Sequence, residues 1–231
     1  AVIHHPLFGI GLTLATYQLA LAAYERTRWA LLQPVLVAML LIIGTLYLFQ
    51  IDVREYLNFT AIFGLLLGPV IVALAIPLYI NLRHIRRLWQ PVMLTMLIAG
   101  LLATLLGSGM AWLLGANEYM QRTLLTKSVT SPFAILLAGE VGGIPALAAV
   151  FAILTGVLGA IVGPGLLRLI GVEHPAAQGL AMGITAHAVG TARAIQEGEQ
   201  CGGFAALAMS LMGVGTAVLL PLAVSLITLT W

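Results

Sequence analysis

The sequence predicts an all-α polytopic membrane protein, and three observations carry that prediction. Of 231 residues, 61% are hydrophobic and only 8% charged, with a mean hydropathy of +1.08; a soluble domain carries roughly a quarter charged residues. Apolar stretches of span length follow one another, divided by short charged or Pro/Gly breaks. Two polar stretches interrupt this pattern, Lys127-Ser128-Val129-Thr130-Ser131-Pro132 and His187-Ala188-Val189-Gly190-Thr191-Ala192-Arg193. Polar groups inside an apolar span are costly and usually line a path for something polar. Matched interruptions in two halves of a chain mark a transporter's binding site, and here they suggest a small anion.

Seven to eight hydrophobic segments are expected, at residues 6–24, 29–50, 58–82, 91–114, 119–139, 144–170, 176–196 and 203–230. The first is too long for a signal-peptide core and lacks an obvious cleavage site, so it reads as a retained span. The second, fourth, sixth and eighth read as long, clean helices. The third, fifth and seventh are shorter or broken, by Gly68-Pro69 and Pro77, by Ser131-Pro132, and by the Gly190-Thr191 step before Arg193. Pro132, Gly142, Gly143 and Pro145 are further expected breaks. Each proline removes a donor and frees carbonyls one turn back, and irregular backbone at membrane depth survives only against protein or a water-filled cavity. These discontinuous segments, spanning or re-entrant, give a transporter-like plan.

Residues 1–231 form a single integral membrane domain, with internal repeat halves at approximately 1–115 and 116–231. Gly142-Gly143-Ile144-Pro145-Ala146-Leu147-Ala148 matches Gly202-Gly203-Phe204-Ala205-Ala206-Leu207-Ala208 at a shift of 60, which also places the Lys127 stretch on the His187 stretch. Gln33-Pro34-Val35 and Gln90-Pro91-Val92 match at a shift of 57. The competing explanation is coincidence among Ala, Leu and Gly. The favoured one is four units of one broken and one continuous helix, in parallel or inverted arrangement. Basic loops at 25–28 and 83–87 are expected in the cytoplasm, placing the N-terminus outside.

Lys127 supplies a cation and Ser128, Thr130 and Ser131 supply hydroxyls, the set that a small carboxylate needs in place of lost water. A short helix starting near Ser131-Pro132 would add backbone N–H groups that favour an anion. The bland alternative has Lys127 snorkelling and the hydroxyls bonding their own helix. In the second stretch His187 and Thr191 share a helical face, with Gly190 between them, and Arg193 can fork onto a carboxylate. His187 can also take or release a coupling proton. The alternative is a structural histidine and an Arg193 paired with Glu197 or Glu199.

Other function classes lack their signatures. There is no Gly-x-Ser-x-Gly elbow, His-Glu-x-x-His or phosphate loop, so no enzyme, cofactor or metal site is expected. Cys201 is the only cysteine, which excludes an internal disulfide and a thiolate cluster. A net charge of +2 gives no reason to expect nucleic acid. The expected partners are the lipid bilayer of the cell membrane, a small carboxylate, and a second copy of the chain as a fixed scaffold.

Four motifs, in order along most of the chain, resemble those of the LrgB/CidB family of bacterial membrane proteins. They are Gly68–Tyr79, Thr126–Pro132, Val141–Pro145 and Ala186–Arg193. The chain has Thr126 where the family often has Pro, Ser131 for Thr, and Ala186 for Ser. The resemblance implies an antiholin-like or holin-like role in murein hydrolase export and autolysis, often beside a small LrgA/CidA-type partner. Relatives include the plastid glycolate/glycerate translocator and bacterial pairs linked to pyruvate uptake, so it equally implies a carrier of short 2-hydroxy or 2-oxo monocarboxylates.

Overall fold

The computed structural model describes residues 5–27, 29, 32–73, 75–80 and 82–229, and every regular element among them is an α-helix. Among the described residues, four helices are long and apolar enough to cross a membrane: α1 (Pro6–Thr27), α7 (Trp89–Leu113), α10 (Pro145–Leu169) and α12 (Glu199–Leu229). The chain is thus a helical membrane protein. It divides into two compact units, 1–74 and 75–231.

In the first unit, α1 is followed by α2 (Pro34–Leu48), α3 (Val53–Phe59) and α4 (Ala61–Ala73). The second apolar stretch is shorter as a helix than expected, because α2 starts at Pro34, where Gln33 Oε1 accepts the Leu36 N–H at 2.8 Å. Asp52 caps α3 in the same way, its Oδ1 accepting the Arg54 N–H. α3 packs on α1 where Gly9 admits Phe59, and Thr13 Oγ1 lies 2.7 Å from the Tyr56 hydroxyl. Gly68 and Pro69 do not break α4, which runs through both; the helix ends at Ala73.

The second unit opens with two short helices, α5 (Ala75–Ile80) and α6 (Leu82–Arg87), before α7. After α7 come α8 (Glu118–Leu124) and α9 (Ser131–Glu140), between which the chain folds back as a hairpin whose helices pack on α10 rather than on each other. Its base is tied by Arg122, whose Nη1 donates to the Val141 carbonyl at 3.2 Å, and by Thr123, whose hydroxyl accepts the Ile144 N–H at 2.8 Å. Gly142, at φ +76°, closes α9, and the Gly143 N–H returns to the Ala138 carbonyl at 2.7 Å. Pro145 then opens α10 in its first turn. The connection 125–130 forms the tip of this hairpin. There Val129 and Ala134 pack with Ala148 and Ala152 on α10.

α11 (Pro175–Glu197) is a second hairpin, folded at a single residue. His187 has φ 40° and ψ −126°, outside the helical region. Before it, Gly179 lies against Cys201 and Gly183 against Ala205 and Ala208, so residues 175–186 run in the direction of α12. After it the order reverses: Thr191 reaches the Ala205 carbonyl and Ile195 covers Gly202. A Cβ at Gly190 would fall 3.2 Å from the carbonyl carbon of Met182, eight residues back, an approach that a straight helix forbids. The sequence places this break at Gly190-Thr191; it falls at His187 instead.

Small residues let these elements approach closely. Gly156, Gly159 and Gly163 on α10 receive His187, Ala186 and Met182. A core of Val92, Leu180, Ile184, Phe204, Ala208 and Met212 joins α7, the first leg of α11 and α12. The hairpins therefore enter from opposite ends of α10. The α8–α9 base lies at Ile144, while the α11 base lies near Arg168, which reaches Glu197 at 3.5 Å. In each case a hairpin leads into a long helix.

Candidate functional site

Both hairpin tips lie against α10 near Ala152: Val129 and Ala134 share a buried cluster with it, and His187 Nε2 lies 2.7 Å from its carbonyl oxygen. A carbonyl only accepts, so Nε2 carries the proton. His187 is buried, with 3% of its surface exposed, and its Nδ1 has no hydrogen-bond partner among the described residues. The ring fits because Gly156 has no side chain: a Cβ there would fall 2.7 Å from His187 Cε1. Thr191, also buried, donates its hydroxyl to the His187 carbonyl at 2.8 Å and covers the fold-back from inside.

Lys127 belongs to the other tip. Its stem lies along Gly107 of α7, where a Cβ would meet Lys127 Cε at 2.5 Å, and its Nζ donates to Ser128 Oγ at 3.1 Å. Ser128 is buried. Val129, two residues after Lys127, shares a buried cluster with Ala152, whose carbonyl also meets His187, which brings the two sequence motifs to the same stretch of α10. Thr130 is the N-cap residue of α9 and makes no side-chain capping bond; Ser131 and Pro132 form its first turn. Gly190 lets the second leg of the fold-back close on Ala186.

Arg193 stands apart from this cluster. It lies six residues beyond the tip, about 9 Å along its leg. Its Nη1 donates to Gln196 Oε1 at 3.0 Å and its Nη2 pairs with Glu197, which also pairs with Arg168. The alternative pairing of Arg193 with Glu197 is therefore present. A cavity of about 460 Å³ lies between α7 and the first leg of α11, walled by residues such as Val92, Thr95, Leu180, Ile184 and Thr185. It is largely apolar, and neither Lys127 nor His187 lines it.

Several residues around the cluster are not among the site residues that the sequence singles out. Ala152 contributes only a carbonyl, and Gly107 and Gly156 contribute only space. Thr123 and Thr126 are fully buried, with Thr126 Oγ1 donating to the Thr123 carbonyl at 2.8 Å. The Gly156-Gly159-Gly163 spacing was the one available signal, since small residues at helical intervals mark close approach. No group of three or more metal-ligating side chains occurs among the described residues.

Comparison with known proteins agrees with the motifs. The model of the LrgB-like family matches residues 13–226. A protein of Haemophilus influenzae described as uncharacterized is 35% identical over 216 residues, covering 94% of both chains. The uncharacterized protein YxaC of Bacillus subtilis is 32% identical, covering 88% of each. The antiholin-like protein LrgB of Bacillus cereus is 28% identical, covering 94% of this chain and 95% of its own. No solved structure matches. With the family model covering nearly its whole length, this chain belongs to the LrgB-like family.

Proposed function

We propose that the chain acts in the bacterial inner membrane as an antiholin-like, multi-pass protein that restrains murein hydrolase export and autolysis with a small LrgA/CidA-type partner. The observation that carries this reading is the family match over residues 13–226, together with the name borne by the Bacillus cereus relatives. The test is deletion of the gene in its own host, with hydrolase activity in the medium and the rate of lysis as readouts. A rise in both, reversed by the intact gene, is the expected outcome. Unchanged hydrolase release would sink the reading.

A second reading has one specific observation in its favour. His187 occupies a backbone conformation that glycine adopts freely and a side-chain-bearing residue adopts at a cost of about 1–3 kcal/mol. A histidine there, buried and with its Nδ1 unpartnered among the described residues, is intelligible if its ring meets a ligand. On this reading the chain carries small monocarboxylates of the glycolate, glycerate or pyruvate kind across the membrane, with a proton or by exchange, as a homodimer. Uptake of labelled acid into liposomes holding the purified chain tests it. Uptake that Lys127→Met leaves intact would remove the tip cluster as its site. The regulatory reading instead expects control of lysis to survive replacement of Lys127 and His187.

A further inference from the structure

We propose that the cavity between α7 and the first leg of α11 holds an anionic phospholipid, with an acyl chain along the groove and the phosphate among arginines at its mouth. Neither reading of the function assigns this cavity a role. Its lining explains why it exists. Ala99, Ala177 and Ala181, with Thr95 and Thr185, are too short to fill the space between the two helices, and about 460 Å³ stays open. Ala177 and Thr185 are exposed, so the groove opens at the protein surface rather than lying sealed in the core.

The groove runs from Leu88 to Ala99 on α7 and from His174 to Thr185 on α11. Gly100 lies against Met212 of α12, one turn beyond Ala208, which meets Gly183. The inner end is therefore at Ala99 and Thr185, and the mouth at Leu88 and His174. Leu88 to Ala99 is about 16 Å of helix, close to one leaflet of a hydrocarbon core about 30 Å thick. Over that length, 460 Å³ is room for an extended acyl chain rather than for a whole helix about 10 Å wide. The mouth is basic. Arg83, Arg86 and Arg87 of α6 are exposed and have no ion-pair partner among the described residues. Ile85 and Leu88 pack on the core cluster that holds Val92 and Ala176, which seats α6 at this end. His174 Nδ1 accepts the Ala176 N–H at 3.2 Å, so its neutral ring carries the proton on Nε2, a donor for a phosphate. Three arginines outweigh the exposed Glu173 beside it. A free anion would gain nothing from the apolar walls, and a neutral lipid little from the arginines; a lipid with an anionic headgroup uses both.

Lipid retention by the purified full-length chain is the test, read by native mass spectrometry after exposure to equal amounts of phosphatidylglycerol and phosphatidylethanolamine with the same acyl chains. The wild type is expected to retain phosphatidylglycerol in preference. Arg87→Gln should lower that preference about fivefold, and Arg86→Gln in addition should lower it further. Ala177→Leu narrows the groove from an exposed position and should reduce retention of both lipids. Because a larger side chain risks disturbing the helix contact, the wild type supplies a second readout. Residues 175–186 should exchange deuterium more slowly in phosphatidylglycerol than in phosphatidylethanolamine, with α1 unchanged. Equal retention of the two lipids, a preference that survives loss of both arginines, or retention unchanged in Ala177→Leu would overturn the site and leave only lipid that surrounds the protein. Retention of no lipid, with a second copy of the chain covering the groove, would overturn it as well.

Discussion

Gly183 and Gly179 show how residue-level space sets the sign of a mutation. A Cβ at Gly183 would land on the Ala205 carbonyl oxygen and 2.8 Å from Ala208 Cβ; one at Gly179 would meet the Cys201 carbonyl and lie 2.9 Å from Phe204 Cβ. These are backbone and Cβ atoms of α12, which cannot rotate aside. Alanine would gain about 1 kcal/mol of helix propensity and lose about 1–3 kcal/mol to overpacking. Gly183→Ala is thus expected to lower thermal stability in detergent. Gly109 on α7 and Gly165 on α10 have no such neighbour within 4 Å, so alanine there should be neutral or stabilising. If Gly183→Ala melts no lower than Gly165→Ala, the close α11–α12 contact is wrong. At this scale the sequence was partly legible. Lys127, Ser128, His187 and Thr191 stand out because polar groups are rare in this chain. Ala152, whose carbonyl fixes the imidazole, has no side-chain chemistry to reveal it.

At the scale of the element, the α11 hairpin needs a base as well as a tip. Glu197 supplies it by pairing with Arg193 on its own leg and with Arg168 at the end of α10. The side chains of Arg193 and Glu197 are only 16% and 23% exposed, so the pair is less screened than a surface ion pair. Glu197→Gln keeps the shape and removes the charge, a loss of about 1 kcal/mol. Hydrogen–deuterium exchange should then quicken several-fold in residues 188–197 and stay unchanged in α1. Equal exchange in both proteins would show that the clasp does not hold the hairpin. The fold-back itself was half visible. Periodicity and glycine content point to a broken segment, yet they place the break at Gly190 because glycine is the usual residue there. His187 takes the strained position instead, and propensity cannot foresee a residue held against its own preference by tertiary contacts. Pro69 errs in the other direction, since a proline that reads as a break is absorbed within α4.

For the molecule as a whole, the arrangement of the two hairpins about α10 makes a topological prediction. The basic residues Arg83, Arg86 and Arg87 precede α7 and are expected in the cytoplasm. α7 would then carry the chain outward, so the α8–α9 hairpin enters from outside and returns there at Val141–Ile144. α10 crosses back, Arg168 arrives in the cytoplasm as the charge rule prefers, and the α11 hairpin enters from that side. α12 ends outside. The repeats detected at a shift of 60 are on this account inverted. Glu140 and Glu173 are exposed residues at the bases of the two hairpins, and the native Cys201 is buried. Single cysteines at Glu140 and Glu173, in a Cys201→Ala background, can therefore be probed with a membrane-impermeant thiol reagent on intact cells or spheroplasts. Cysteine at 140 should be labelled from outside, and cysteine at 173 only after permeabilisation. Labelling of both from one side would mean that α10 does not cross between them. The tips would then no longer converge on Ala152 from opposite faces, and a site opening alternately to either side would lose its structural basis.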